Sequence, residues 1–422
     1  MSSKPRYRSL RGMPDTLPED AAIIHWMEDK ARNVFRTFGY TEIRPPLLEE
    51  TEVFTRSIGE DTDIVEKEMY SFTDRGGKNV SLRPEGTASI IRAYIEHGWH
   101  NTADLVKLYY IGPMFRGERP QKGRLRQFHQ IGAEAIGGKD PYIDAELIFS
   151  LDMLLSDLKV SGFTILLNSL GCGRDRAGYK KALAGYLAGK SSGLCADCRR
   201  RVGTNVLRVL DCKRKECKSV VKEAPDILEH LCDGCRGDYE TLKSVLTDMG
   251  VPFREKRDMV RGLDYYTGII FEVVHPLLGA QDAIAAGGRY EDLTKQMGGP
   301  DVGATGYAVG VERLLLAVDR KDVRLDPPGL LVIPVDKESR PEAFRVTNRL
   351  RLEGVPCEMD YYGRSFKGQM RKAHKERRKF VVIMGEQEVK SGKLLLKVME
   401  NGEQKALSFE KAVKYLKRVK QT

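Results

Sequence analysis

Between residues 18 and 38 apolar side chains recur at Ile23, Ile24, Met27, Ala31, Val34 and Phe35, close to the 3.6-residue period of a helix. Pro18 near the start and Glu19 and Asp20 in the first turn mark its beginning. GYTEIRPPLLEE (39–50) then reads as an extended segment broken by Pro45–Pro46. Residues 80–99 predict a strand, a turn at Pro84–Gly86 and a helix from about Thr87. Two apolar-rich runs, 105–116 and 126–137, flank a loop of Pro, Gly, Lys and Arg, so an antiparallel hairpin is the natural connection. A helix over 140–157 and a strand over 163–171 follow.

A helix-rich, basic stretch, about 172–255, interrupts this plan. Strands return at 271–275, 283–290 and 305–310, and a helix follows over 311–320. DVRLDPPG (322–329) is the clearest linker. Beyond it, apolar runs such as GLLVIPV and KFVVIMG alternate with helical segments near 341–353 and 365–377, the pattern of a small α/β domain. The expected fold is thus α+β. A mainly antiparallel core with a helical insertion spans 1–325, and a separate α/β domain spans 326–422.

Composition narrows the partners. The formal net charge is +10, which favours a polyanion through phosphate neutralisation, although many basic chains bind no nucleic acid. No apolar run approaches the length of a membrane span, and the basic N-terminus has no apolar stretch after it. No membrane association, no secretory leader and a cytoplasmic location are therefore expected. Six of the eight cysteines lie between Cys195 and Cys235. In a cytosolic chain they argue against disulfides. Cys195, Cys198, Cys232 and Cys235, as two CxxC pairs, could supply four thiolates to one structural zinc. Plain reduced thiols in a small helical insert are the alternative.

The hairpin 105–137 carries the most chemistry. Five basic residues lie between Arg116 and Arg126, around a lone Glu118. On the strand that follows, Phe128, Gln130, Gly132 and Glu134 share one face because side chains alternate. An aromatic plate, an amide, a gap and a carboxylate could line a pocket for a planar base and a polar small molecule, with phosphate at the basic loop. A solvated strand face with a basic loop is the competing reading. Glu85 and Thr87, in LRPEGTAS, could bind an ammonium group or simply sit at a helix N-terminus. Gly306, Ala308 and Gly310 leave one strand face without bulk, which admits a ligand to the backbone. Arg313 opens the next helix, where the dipole gains it nothing, so a specific partner explains it better. No GxxxxGK[ST] or HExxH occurs.

GYTEIRPPLLEE, FRGERPQKGRLRQFHQIGAE and GYAVGVERLLL resemble, in order, the three signature motifs of class II aminoacyl-tRNA synthetases. LRPEGTA, RQFHQIGAE, VRGLDYYTG and AAGGRY resemble the histidine-specific members. The resemblance covers nearly the whole chain. It implies a six-stranded antiparallel catalytic sheet flanked by helices and a C-terminal α/β anticodon-binding domain. It also implies a homodimer, with the Tyr40–Glu50 segment and Pro46 at its interface. The insertion cysteines are not part of the family pattern.

The implied reaction joins L-histidine to ATP as an adenylate, then transfers the acyl group to tRNA(His), with Mg2+ accompanying ATP. The resemblance casts Arg116, Arg261 and Arg313 as catalytic cations. Glu118, Arg124, Phe128 and again Arg116 and Arg313 would bind ATP. Glu85, Thr87, Gln130, Glu134, Tyr265, Tyr266 and Tyr290 would form the histidine pocket, with Glu134 and Tyr266 at the imidazole nitrogens. In the tail, GRSFKGQMRKAHKERRK (363–379) holds eight Arg/Lys in seventeen residues, either a solvated helix face or a tRNA contact. One alternative is an inactive paralogue serving as the histidine-sensing regulatory subunit of ATP phosphoribosyltransferase. The other is a pure RNA-binding module. The first would not need Arg261, a full phosphate-binding set or a basic tail domain, and the second would tolerate loss of Glu85 or Glu134, yet all are present.

Overall fold

A computed structural model describes residues 7–59, 62–279, 282–323 and 329–419. The first residues of the N-terminal stretch and Pro327–Pro328 of the expected linker lie outside them. Two compact units divide at Val323/Arg324.

The larger unit is built on an eight-stranded sheet. Its order is Thr41–Glu42, Val106–Phe115, Gln127–Ile136, Ala304–Gly310, Ala283–Arg289, Thr267–Val274, Thr164–Ser169 and Phe253–Glu255. The inner six strands pair antiparallel, as expected. A short parallel strand extends the sheet at each edge. The hairpin forms with Tyr110 opposite Gly132 and Leu108 opposite Glu134.

Alternation along these strands separates two faces. Ile131, Ala133, Tyr307 and Val309 point into a core shared with the helices Pro18–Thr37 and Pro141–Asp157. The first helix buries Ile23, Met27, Ala31, Val34 and Phe35, the stripe its sequence period describes. The second starts at Asp140, whose side chain accepts the N–H of Tyr142 at 2.9 Å. Burial of these apolar side chains anchors the two helices to this face of the sheet. The opposite face carries Tyr110, Tyr265, Tyr266 and Tyr290 and packs against the helical insertion.

The smaller unit holds a five-stranded sheet ordered Cys357–Met359, Leu330–Pro334, Phe380–Met384, Leu394–Val398 and Gln404–Leu407. The first three strands are parallel and the last two antiparallel. Every residue of Leu330–Pro334 is buried because both faces of this inner strand are covered. Leu330 and Val332 face one core, and Leu331 and Ile333 the other. The basic run forms the helix Phe366–Lys375, capped by Ser365. Gln369 and Ala373 anchor it, while Lys367, Arg371 and Lys375 are exposed.

Candidate active site

A cavity of about 610 Å3 opens on the sheet face away from the two-helix cover. Glu85, Thr87, Arg116, Glu118, Arg124, Phe128, Gln130, Arg261, Tyr265, Tyr266 and Arg313 all line it. Residues far apart in the chain therefore meet because the strand order folds them onto one face. Glu134 and Tyr290 are the two expected pocket residues that do not reach the cavity wall. They form a buried layer behind it.

That layer is tightly tied. The Thr87 hydroxyl donates to Glu134 Oε1 at 2.7 Å, and the Tyr290 hydroxyl donates to Glu134 Oε2. Burial pushes the Glu134 carboxyl up to about 8, against the pull of these two donors. Gly306 stands opposite Glu134 across the strand pair. A Cβ there would fall 1.6 Å from Glu134 Oε2, so only glycine leaves the carboxylate its place. The buried Tyr110 ring fills the space that Gly86 and Gly132 leave open.

Glu85 is fully committed to the turn it closes. Its carboxylate accepts the N–H groups of Thr87 at 2.7 Å and Ala88 at 2.8 Å, at the start of the helix Thr87–Glu96. The helix-terminus reading of this motif is thus realised, and the residue lines the cavity as well. Burial raises the Glu85 carboxyl, opposed by those N–H groups.

The arginines are held from behind. Arg116 Nε donates to the Pro84 carbonyl at 2.8 Å, and its guanidinium lies 5.3 Å from the Phe128 ring centre. Arg261 Nη1 donates to Glu272 at 3.3 Å and its guanidinium lies 5.7 Å from the Tyr266 ring centre. Arg313 Nε donates to the Gly123 carbonyl at 3.2 Å, joining its helix to the basic loop. Burial lowers the Arg313 pKa. Arg124 pairs with Glu118 at 2.7 Å. Glu312 accepts from the His129 backbone N–H at 3.0 Å and lies 2.9 Å from His129 Nδ1. This hydrogen bond raises the His129 pKa.

Among the described residues two buried polar atoms on the cavity wall have no hydrogen-bond partner, the Gln130 Oε1 acceptor and the Arg261 Nε donor. Such orphans are costly and are common where a ligand completes them.

Tyr110 and Glu272 also line the cavity, and the sequence does not single them out. Tyr110 is detectable in principle, since a large residue facing Gly132 across a hairpin suggests a filled gap. Glu272 sits inside the strand Thr267–Val274, where a lone acid reads as a solvent-facing position.

The expected single cluster of Cys195, Cys198, Cys232 and Cys235 does not form. The two CxxC pairs belong to different groups, Cys195–Cys198–Cys212–Cys217 and Cys172–Asp175–Cys232–Cys235. Each pair sits at the start of its own helix, Ala196–Thr204 or Asp233–Asp248, and the fold holds those starts apart.

A sheet that gathers cations and tyrosines around one cavity, with a separate five-stranded unit, is the plan of known synthetases of one class. The family model for histidyl-tRNA synthetase matches residues 12–314, and that for the anticodon binding domain matches residues 330–419. Histidine–tRNA ligase of Halothermothrix orenii is 46% identical over 398 residues, covering 93% of this chain and 95% of that protein. The Geobacter metallireducens protein of the same name is 48% identical, covering 94% and 95%. The solved structure of apo S. aureus histidyl-tRNA synthetase is 33% identical, covers 99% of this chain and all of that one, and has a TM-score of 0.80. The chain belongs to the histidyl-tRNA synthetase family.

Proposed function

We propose that the cavity activates L-histidine with ATP and that the chain then esterifies tRNA(His) with it. In the first step a histidine carboxylate oxygen attacks the α-phosphorus and diphosphate leaves. In the second a terminal ribose hydroxyl of the tRNA takes the acyl group and AMP leaves. Charge builds on phosphate oxygens, so fixed cations supply the catalysis without a covalent nucleophile. Arg116 and Arg261 serve the α-phosphate and the reacting carboxylate. Arg313 and Phe128 hold the adenine, with Arg124 and Glu118 at the loop. Base stacking on Phe128 needs either its free face or movement of Arg116 off the ring. Magnesium accompanies ATP. Glu118 and Glu272 offer carboxylate oxygens at the wall, and phosphate oxygens complete such a shell.

The observation that carries this reading is the pair of orphans. Gln130 Oε1 can accept from an ammonium group and Arg261 Nε can donate to a carboxylate or phosphate oxygen. Tyr265 and Tyr266 take the imidazole, backed by Glu134, Thr87 and Tyr290. Glu85 supports the ammonium end. A pocket built to pair ring nitrogens rejects amino acids without them, because its own groups stay unpaired.

Exposed Leu47, Leu48 and Phe72 on the small sheet of strands Leu48–Glu50, Tyr70–Thr73 and Asn79–Leu82 support a homodimer through the Tyr40–Glu50 segment. The exposed face of Phe366–Lys375 supports tRNA contact by the smaller unit. No described helix is long and apolar enough to cross a membrane. A cytoplasmic location agrees with a tRNA partner.

The test is ATP–diphosphate exchange with each of the twenty amino acids and no tRNA. Exchange with histidine alone is expected. Histidine binding without exchange would replace this reading by the regulatory paralogue.

A further inference from the structure

The helical insertion carries seven of the chain's eight cysteines, and all eight are free thiols. Seven free thiols in one small segment, outside the catalytic cavity's chemistry, ask for a use. Their side chains gather into two groups. Cys195, Cys198, Cys212 and Cys217 form the first, and Cys172, Asp175, Cys232 and Cys235 the second. Within each group the four candidate ligand atoms lie within 4.8 Å of one another. Around a tetrahedral zinc, with Zn–S bonds of about 2.3 Å, neighbouring sulfurs stand roughly 3.8 Å apart. Each group therefore needs only a small contraction to close on an ion.

Local structure prepares both groups. Cys195, Cys232 and Cys172 each stand at a helix N-cap, where the dipole favours a thiolate. Backbone N–H groups already point at two sulfurs of the first group. Cys198 N–H donates to Cys195 Sγ at 3.4 Å, and Cys195 N–H donates to Cys217 Sγ at 3.2 Å. These are the outer contacts that orient thiolate ligands. In the second group Asp175 is 5% exposed and accepts the Cys172 N–H at 3.3 Å. Four protein donors describe a closed, structural site, and soft thiolates select zinc over magnesium or calcium.

We infer that the insertion holds two separate structural zinc ions, one bound by four cysteines and one by three cysteines and an aspartate. Each has its own mechanical place. The all-cysteine centre fastens the segment Leu210–Lys213 and Lys218, which walls the catalytic cavity, and Cys212 itself lines that cavity. The aspartate-containing centre joins the first helix of the insertion, Gly173–Ala188, to its last, Asp233–Asp248. From the first of these helices Arg176 donates to the Tyr266 carbonyl at 2.8 Å, beside the tyrosines of the pocket.

The experiment is metal analysis of the full-length chain purified under reducing conditions, with the Cys198→Ser and Cys235→Ser variants beside it. Two zinc ions are expected in the parent chain and one in each variant. Cobalt(II) added to the metal-stripped parent should titrate in two equivalents, with sulfur-to-cobalt charge-transfer bands and intense visible d–d absorption. Seven cysteines should resist a thiol reagent until the metal is chelated. This last readout needs no variant to fold. A parent chain without zinc, or with iron in its place, overturns the inference. A single ion released by either substitution overturns it equally, since that would be one shared centre. Loss of cysteine protection at sub-stoichiometric chelator, with no metal released, also counts against it.

Discussion

The cavity has two unlike walls. The sheet wall is backed by a buried layer whose carboxylates are already tied. Glu134 is 1% exposed and held by Thr87 and Tyr290, and Glu85 is held by the start of a helix. The insertion wall is thin and exposed. Beyond the apolar cluster that the insertion shares with the sheet, it is tied down by Arg208, which pairs with Asp63 at 2.8 Å and donates to the Gly262 carbonyl at 3.1 Å, and by Asn205 on Asp264 at 3.3 Å. The Asp63 side of that pair is open to solvent; such partly exposed pairs contribute about 1 kcal/mol, whereas breaking a buried network costs several times as much. Recognition therefore belongs to the fixed wall and adjustment to the loose one.

The strongest way to break this contrast is Arg261→Ala. On the proposed reading the residue faces the reacting atoms. Removing it should cut ATP–diphosphate exchange by about 100-fold or more, with histidine binding by calorimetry largely retained. Near-normal exchange would remove Arg261 from the catalytic set. Glu134→Gln should act on recognition instead, lowering kcat/KM for histidine by roughly 10- to 100-fold. It also carries a pH signature. The Glu134 carboxyl rises from 4.5 to about 8 in the fold, so the native state holds a proton that the unfolded chain releases. The stability that this proton retains is full below about 4.5 and is lost as pH rises through about 8. Urea midpoints of the parent should therefore fall relative to Glu134→Gln between about pH 5 and 9. Parallel curves would refute a buried proton. The smallest effect is expected for Arg208→Ala on the loose wall, about 1 kcal/mol or less in stability. Its KM for ATP should rise a few-fold while kcat stays within about two-fold of the parent. A collapse of kcat would show that the insertion wall is as rigid as the sheet.

The two walls also differ in how far the sequence reveals them. A strand face follows from a period of two, so Phe128, Gln130 and Glu134 fall on one side of one strand before any fold is known. The hairpin itself follows from the two apolar runs around a polar loop. What alternation does not give is depth. It puts Glu134 on the cavity side but not one layer behind Thr87. The edge strand Phe253–Glu255 escapes a sequence reading, being too short to show a period. In the insertion, helices set which cysteines meet, and their packing brings Cys172 and Asp175 to Cys232 from far away in the chain. Spacing alone pairs the two CxxC motifs with each other, because nothing local distinguishes that arrangement from the one that forms.

The parallel edge strand Phe253–Glu255 has a consequence for tolerance to change. It lies beside Thr164–Ser169, with Ile165 facing Phe253, so the insertion leaves the sheet and returns to the adjacent lane. The segment between them is a loop closed by two neighbouring strands, with its helices packed back on the larger unit's core. The entropy of closing such a loop grows only with the logarithm of its length, about 0.6 kcal/mol for each doubling. The exposed loops of the insertion can therefore lengthen or shrink at little cost to the register of those two strands.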